Sequence, residues 1–366
     1  MNISSERLTI FLPGLYDGGA ERILLNLAAG IAARGFRVDL TLARAEGPYM
    51  DQIPASVRMV DLKATRVLTC LPSLIRYLRT ERPAALLSAL HANIPAIWAR
   101  RLTGIPRRVA LSEHNTLTRV SAGEHDLRWE LYPTLARKFY PWADEIIAVS
   151  KGVASDLSLA ADLPLENIQV IYNPIVTPEL YAKAEAALDH PWFAEGEPPV
   201  ILGVGRLTSQ KGFDVLLDAF ARVKKARTAR LLILGEGEDR SALEAQIGRL
   251  GLQGDVSLPG FVSNPYPYFA RTAAFVLSSR WEGLPTVLVE ALALQAPIVS
   301  TDCPSGPREI LGNGRYGRLV PMDEPDEMAR AILEVLAERP AVNAEEGWRP
   351  YELEFVTDQY LNVLLN

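Results

Sequence analysis

Short β-rich runs alternate with helical ones along nearly the whole chain, and the alternation breaks off once and then restarts. No other feature constrains the fold as much. Strands separated by helices pair in parallel, and the helices then cover both faces of the sheet. The first set opens with Leu8–Leu12, an apolar run ended by Pro13-Gly14. In Ala20–Arg34 the residues Ile23, Leu24, Leu27 and Ile31 recur at helical spacing, and Gly35 sits where a helix C-terminus favours it. Strands are expected at Arg37–Leu42, Ala85–Leu90, Arg108–Leu111, Glu145–Val149 and Ile168–Ile171. Helices are expected at Leu71–Arg79, Ile94–Arg101 and Lys151–Ala160, the last capped by Ser150. Asn173-Pro174 stops this set, and Asp189–Pro199 holds His-Pro, a glycine and Pro-Pro in a short span. Strands resume at Pro199–Val204, Arg230–Leu234, Val256–Leu258, Ala274–Leu277, Ile298–Thr301 and Arg318–Val320. Between and after them helices are expected at Phe213–Lys225, Arg240–Leu250, Pro285–Leu294 and Asp326–Ala337.

Two such sets imply an α/β chain with two doubly wound domains, residues 1–175 and 199–349, joined by a linker at 176–198. Ligands of such sheets sit beyond the C-terminal strand ends, so two facing domains would place a cleft between their loop edges. The final stretch, 350–366, has apolar residues at helical spacing and is expected to pack back on the first domain. A length of 366 residues agrees with two domains.

Composition narrows the class. No apolar run approaches the about 18–20 residues that span a bilayer. Met1–Arg7 has no basic patch leading into a long apolar core, so it reads as the approach to a strand rather than a secretion signal. Two distant cysteines, Cys70 and Cys303, exclude a disulfide scaffold and a Cys-based zinc site, and suit a reducing cytoplasm. The net charge of −6 argues against nucleic acid as a partner. Residues 1–175 nevertheless carry 20 Lys/Arg against 17 Asp/Glu, and Arg76, Arg79, Arg82, Arg100, Arg101, Arg107 and Arg108 supply much of the excess. Two readings stand side by side: solvated helix faces, or a basic face that meets anionic lipid headgroups.

Several loops at strand ends could hold a phosphate. Gly18 and Gly19 open the first helix, where free N–H groups favour anions. Gly205-Arg206 and Lys211-Gly212 put a guanidinium and an ammonium on one strand-to-helix loop, without the spacing of a dinucleotide fingerprint or a P-loop; the two are either phosphate ligands or solvated surface cations. Glu236, between two glycines, follows the next strand. Phe261 and Val262 follow another, where the ring either frames a planar base or is simply buried. The strongest signal is Glu282-Gly283-Leu284-Pro285-Thr286, followed by Glu290 inside an apolar helix with Pro285 at its first position. A buried carboxylate needs donors. Either an arginine or backbone groups inside the protein supply them, or a ribose diol does.

The Glu282/Glu290 pair, within Glu-Gly-Leu-Pro-Thr-Val-Leu-Val-Glu-Ala, resembles the Glu-x7-Glu motif of the family 4 retaining glycosyltransferases, which have the GT-B fold. Gly18-Gly19-Ala20-Glu21-Arg22, Gly205-Arg206 with Lys211-Gly212, Asn173-Pro174, Gly235-Glu236-Gly237 and Pro304–Glu309 agree with that family in order, over nearly all of the chain. The resemblance implies two Rossmann-like domains facing across a cleft, an acceptor held by the first and a nucleotide-sugar donor, UDP-linked, by the second. It implies that Arg206 and Lys211 neutralise the leaving diphosphate. Gly283, Leu284, Pro285 and Thr286 contact phosphate and sugar, Glu282 binds sugar hydroxyls, and Glu290 binds the ribose. The Phe261-Val262 backbone meets the base, and Gly19 closes over the diphosphate.

Four histidines are present, and His91 and His114 each follow an expected strand of the first domain. His114 fits the family's histidine that points at the donor sugar, while His91 and Asn93 are candidates for acceptor contact. His125 and His190 read as surface residues. No Asp-x-Asp pair follows a strand and no His/carboxylate cluster has ligand spacing, so no metal or cofactor is expected and the two cations stand in for one. The reaction implied is sugar transfer with retention onto a saccharide or lipid-linked acceptor of a cell-envelope glycan. The protein is then placed in the cytoplasm, at the inner membrane face. The competing readings are another GT-B enzyme, such as a sugar-nucleotide epimerase, and a binding subunit without catalysis. The presence of Arg206, Lys211, Glu282 and Glu290 together disfavours the binding subunit.

Overall fold

The computed structural model describes residues 6–16, 19–118, 127–338 and 345–366, without the side chains of 127–130. The chain forms two compact units, Met1–Ile175 with Tyr351–Asn366, and Val176–Pro350.

The first unit is built on strands β1 (Arg7–Leu12), β2 (Arg37–Leu42), β3 (Val57–Asp61), β4 (Ala85–Ala89), β5 (Arg108–Glu113), β6 (Glu145–Ala148) and β7 (Ile168–Val170). They form one sheet in the order β3-β2-β1-β4-β5-β6-β7, with parallel pairings throughout. The helices are α1 (Gly19–Ala33), α2 (Leu71–Glu81), α3 (Asn93–Thr103), α4 (Leu127–Phe139) and α5 (Lys151–Ala161). Ser150 caps α5 by accepting from the Val153 amide at 3.1 Å. Strand β4 is buried along its length because both of its faces are covered, as parallel sheets require.

The second unit repeats the plan. Helix α6 (Pro178–Ala184) precedes strands β8 (Val200–Val204), β9 (Arg230–Leu234), β10 (Val256–Gly260), β11 (Ala274–Leu277), β12 (Ile298–Thr301) and β13 (Arg318–Val320), in the order β10-β9-β8-β11-β12-β13. Its other helices are α7 (Phe213–Ala226), α8 (Arg240–Leu250), α9 (Tyr266–Arg271), α10 (Thr286–Ala293), α11 (Pro307–Ile310), α12 (Pro325–Glu338) and α13 (Glu345–Trp348). Leu216 and Phe220 of α7 and Met328 and Ile332 of α12 pack in one core with Ile201, Ile233 and Val276 of the sheet.

The last helix, α14 (Leu353–Leu365), belongs to the first unit. Its Val356, Tyr360 and Leu364 share a core with Leu24, Leu27 and Ile31 of α1 and Ile10 of β1. Each fully buried side chain of this kind is worth about 1.5–3 kcal/mol, so α14 is an integral layer of that unit. Gly30 is what lets the two helices close: a Cβ there would stand 2.4 Å from Thr357 Oγ1 and 3.0 Å from Leu353 Cδ1.

Two expectations change. Segment 176–198 is not a free linker but part of the second unit. Leu180 and Ala184 of α6 are buried, and Arg271 donates to the Ala184 and Ala186 carbonyls at 3.2 Å each. Pro285 stands one position before α10 rather than at its first turn, with ψ of 100° holding it in extended backbone.

Candidate functional site

In both sheets the strand order reverses between two neighbours, β1/β4 and β8/β11. Loops leaving the C-terminal ends at such a switch diverge and leave room for a ligand. The chemistry-bearing residues of each unit gather at these ends.

In the second unit, the loop after β8 carries Gly205, Arg206 and Lys211, and the loop after β11 carries Ser278 to Pro285. Because β8 and β11 are hydrogen-bonded neighbours, residues 71 apart in sequence meet. Lys211 Nζ donates to Glu282 Oε1 at 2.6 Å, and Ser279 Oγ donates to the same oxygen at 2.6 Å. The two side chains are only 15% and 7% exposed. The loops are zipped on either side of this pair. Ser278 Oγ donates to the Lys211 carbonyl at 2.7 Å, and Gln210 Nε2 donates to the Trp281 carbonyl at 2.9 Å. Arg280 donates to the Ser209 carbonyl at 2.7 Å and to Asp214. Gly212 permits this approach, with φ of +61° and no room for a Cβ, which would lie 2.2 Å from the Ser278 carbonyl. Arg206 is exposed on the same loop.

Gly283, Leu284, Pro285 and Thr286 form the entry to α10, whose first amides lack intrahelical acceptors and favour an anion. Ser305, at φ of +69°, donates from Oγ to the Gly283 carbonyl at 2.7 Å and braces this entry. Glu290 is buried on α10 and accepts from the Tyr266 hydroxyl at 3.3 Å, so the protein itself supplies at least one donor to this carboxylate. Phe261 is 79% exposed, which removes the reading of a buried ring; Val262 is half-buried beside it. Glu236 is held by Arg240, whose hydrogen bonds keep its carboxyl below the usual range.

In the first unit, Gly18 lies outside the described residues, as does His125, and Gly19 begins α1 with open space around it. His91 sits in the turn between β4 and α3, half-buried, with its pKa lowered by burial. Asn93 is fully buried at the start of α3. Its Nδ2 donates to Glu113 Oε1 at 2.9 Å and lies 3.1 Å from the Tyr140 hydroxyl, which leaves Oδ1 without a partner. His114 follows β5 and is 6% exposed. Its Nε2 is 3.0 Å from Ser112 Oγ, its Nδ1 is buried without a hydrogen-bond partner among the described residues, and burial pushes its pKa down to about 4.

Four residues near these histidines were not singled out in the sequence. Glu113 is buried with no cation paired to it among the described residues, and burial lifts its carboxyl to about 7 against hydrogen bonds from Tyr140 and Asn93. Tyr140 donates to Glu113, and the Tyr132 hydroxyl, 3.0 Å from that of Tyr140, has a single proton to give either to Tyr140 or to the Leu90 carbonyl at 3.2 Å. Leu90 has φ of +60°, a costly conformation for a residue with a side chain, and the Tyr132 hydroxyl, when it donates to the Leu90 carbonyl, braces the strained turn that carries His91. On the opposite face of the strand, Tyr360 of α14 meets Ser112 Oγ at 3.3 Å. The one sequence signal is an acidic residue ending a strand whose middle, Val109–Leu111, is apolar.

Of the arginine-rich stretch, Arg76, Arg79, Arg82, Arg101 and Arg107 are exposed. Arg100 and Arg108 turn to internal partners, the Arg107 carbonyl and Glu145. Among the described residues no helix is long and apolar enough to cross a membrane, and no three His, Cys, Asp or Glu side chains gather as metal ligands.

Residues 17–178 match the family described as Glycosyltransferase Family 4, and residues 198–338 the family described as Glycosyl transferases group 1. A Campylobacter jejuni protein named N-acetylgalactosamine-N,N'-diacetylbacillosaminyl-diphospho-undecaprenol 4-alpha-N-acetylgalactosaminyltransferase is 30% identical over 346 residues, 90% of each chain. The lipopolysaccharide core biosynthesis glycosyltransferase LpsE of Rhizobium meliloti is 29% identical over 360 residues, 95% of this chain and 96% of that one. HepE of Anabaena, solved in complex with UDP, superposes with a TM-score of 0.79 at 21% identity, covering 97% of this chain and 98% of its own.

Proposed function

Because the chain belongs to the glycosyltransferases and has the GT-B fold, we propose that it moves a sugar from a UDP-linked donor to a saccharide or lipid-linked acceptor of a cell-envelope glycan, with retained anomeric configuration and without a metal. The acceptor class follows the Campylobacter relative, whose name specifies a diphospho-undecaprenol glycan, and LpsE, named for lipopolysaccharide core biosynthesis.

One observation carries the reading: Lys211 Nζ and Ser279 Oγ converge on Glu282 Oε1 where the second sheet reverses its order, beside the N-terminus of α10. Breaking the anomeric bond builds negative charge on the leaving diphosphate. Preorganised cations and amides aimed at that charge are the largest available catalytic effect, and Arg206, Lys211 and the α10 amides supply them. Lys211 offsets the charge of Glu282, so that carboxylate faces sugar hydroxyls without repelling the phosphates. Glu290 binds the ribose. A carboxylate accepts up to about four hydrogen bonds, so the bond from Tyr266 is compatible with the diol. Phe261-Val262 meets the base, Gly19 the diphosphate, and His91 and Asn93 lie on the acceptor side. The exposed arginines of the first unit meet anionic lipid at the inner face of the membrane.

Lys211→Ala and Glu282→Ala are expected to abolish transfer from a panel of UDP-sugars while circular dichroism still shows the parent's fold at the assay temperature, with a lowered Tm because each change leaves a buried charge unpaired. Full turnover in either variant removes the site. Turnover unchanged by a chelator is the companion result, and strict dependence on added manganese overturns the metal-free mechanism.

A further inference from the structure

Ser112, His114 and Tyr360 form a line of polar groups between the last helix and the end of β5. Alternation along the strand puts Ser112 and His114 on one face, toward α14, and Glu113 on the other, toward Asn93 and Tyr140. Ser112 is fully buried, Tyr360 nearly so, and α14 packs on β5 and β4. A neutral imidazole carries its proton on one nitrogen only, and the partner of the other nitrogen decides which. The phenol of Tyr360 is a stronger donor than the alkyl hydroxyl of Ser112, because it is the more acidic group. The proton order along the line is therefore Tyr360 O–H to Ser112 Oγ, and Ser112 O–H to His114 Nε2. That order leaves the imidazole proton on Nδ1, the buried ring atom with no partner among the described residues. A buried N–H without an acceptor is costly, so a ligand oxygen placed there is strongly favoured.

We propose that Ser112 and Tyr360 are positioning residues that lock His114 as an Nδ1–H donor toward a hydroxyl or ring oxygen of the bound sugar, which excludes His114 as the base that takes the acceptor proton. The proposal rests on the reading of His114 as a sugar-facing residue. It gives α14 a task in the site besides its packing.

Nitrogen-15 NMR of the full chain labelled at histidine reads the tautomer directly, with His114→Ala assigning the resonance. The parent is expected to hold the Nδ1–H form at neutral pH. Ser112→Ala and Tyr360→Phe each remove only a hydroxyl, and each is expected to lower the ratio of Nδ1–H to Nε2–H about fivefold, the factor for one ordinary hydrogen bond. With a UDP-sugar that raises the Tm, the same variants should lower kcat with little change in KM, and each should add nothing in a His114→Ala background. An Nε2–H tautomer in the parent, or a tautomer ratio that neither variant moves, overturns the proposal. Failure of the parent reading looks different: His114→Ala with full turnover, whatever the tautomer, removes His114 from the site.

Discussion

Glu113 and His114 are neighbours in sequence, both buried, and they titrate in opposite senses. Glu113 rises from 4.5 to about 7, so the folded state holds its proton more tightly than the unfolded chain does. That contribution is full below pH 4.5 and is lost as pH rises through about 7. His114 falls from 6.5 to about 4, so its contribution is full above pH 6.5 and is lost as pH falls through about 4. Between pH 4.5 and 6.5 the two slopes offset each other. Glu113→Gln keeps acceptors for Tyr140 and Asn93 and removes one of the slopes. The variant should gain on the parent as pH rises from 4.5 to 7, by a total on the order of 3 kcal/mol. Urea unfolding of both proteins across that range checks it, and parallel stability curves would sink it. None of this was visible from the residues alone. Lys211 and Glu282 could be picked out by motif, and strand order explains why they touch. The partners of Glu113 come from helices 20 and 27 residues away in sequence, and the partner of Ser112 from a helix 248 residues away. No local periodicity encodes such pairings.

At the scale of elements, the strands buried on both faces were legible because they read as continuous apolar runs, as in Arg230–Leu234 and Ala274–Leu277. Strand β3 was not. It lies at the sheet edge with Arg58 and Met59 exposed, so it lacks the run that marks its neighbours. Helices α6, α9, α11 and α13 were missed for a related reason: each is between four and seven residues long, too short to show a helical period. Packing between helices sets a sharper test. In an open helix, Gly→Ala is stabilising by up to about 1 kcal/mol. At Gly248 of α8 a Cβ meets nothing nearer than Gln253 at 3.9 Å, so Gly248→Ala should raise the Tm. At Gly30 the new methyl overlaps Thr357 and Leu353, and overpacking costs about 1–3 kcal/mol, so Gly30→Ala should lower the Tm despite its better helix propensity. Equal Tm changes in the two variants would show that α14 yields rather than resists.

At the scale of the whole molecule, the net charge of −6 conceals a basic N-terminal half and an acidic C-terminal half. Long-range attraction to an anionic surface falls off within about 10 Å at 0.1 M salt, so association through the exposed arginines should depend steeply on ionic strength. Vesicles containing phosphatidylglycerol should sediment the protein at low salt and release it at high salt. Replacing Arg76, Arg79 and Arg82 with Ser should weaken the low-salt binding severalfold. Equal sedimentation of parent and variant would move the contact to another face.

The first unit takes its closing layer from residues 353–365. On the ribosome, α1 and the sheet it packs on emerge early, and the part of their apolar surface that Val356 and Tyr360 cover stays open until that stretch has been translated. The second unit draws on Val176–Pro350 alone, so it can finish first even though it is made later. Completion of the first unit therefore has to follow translation of the second, and during that interval its open apolar surface is exposed to aggregation.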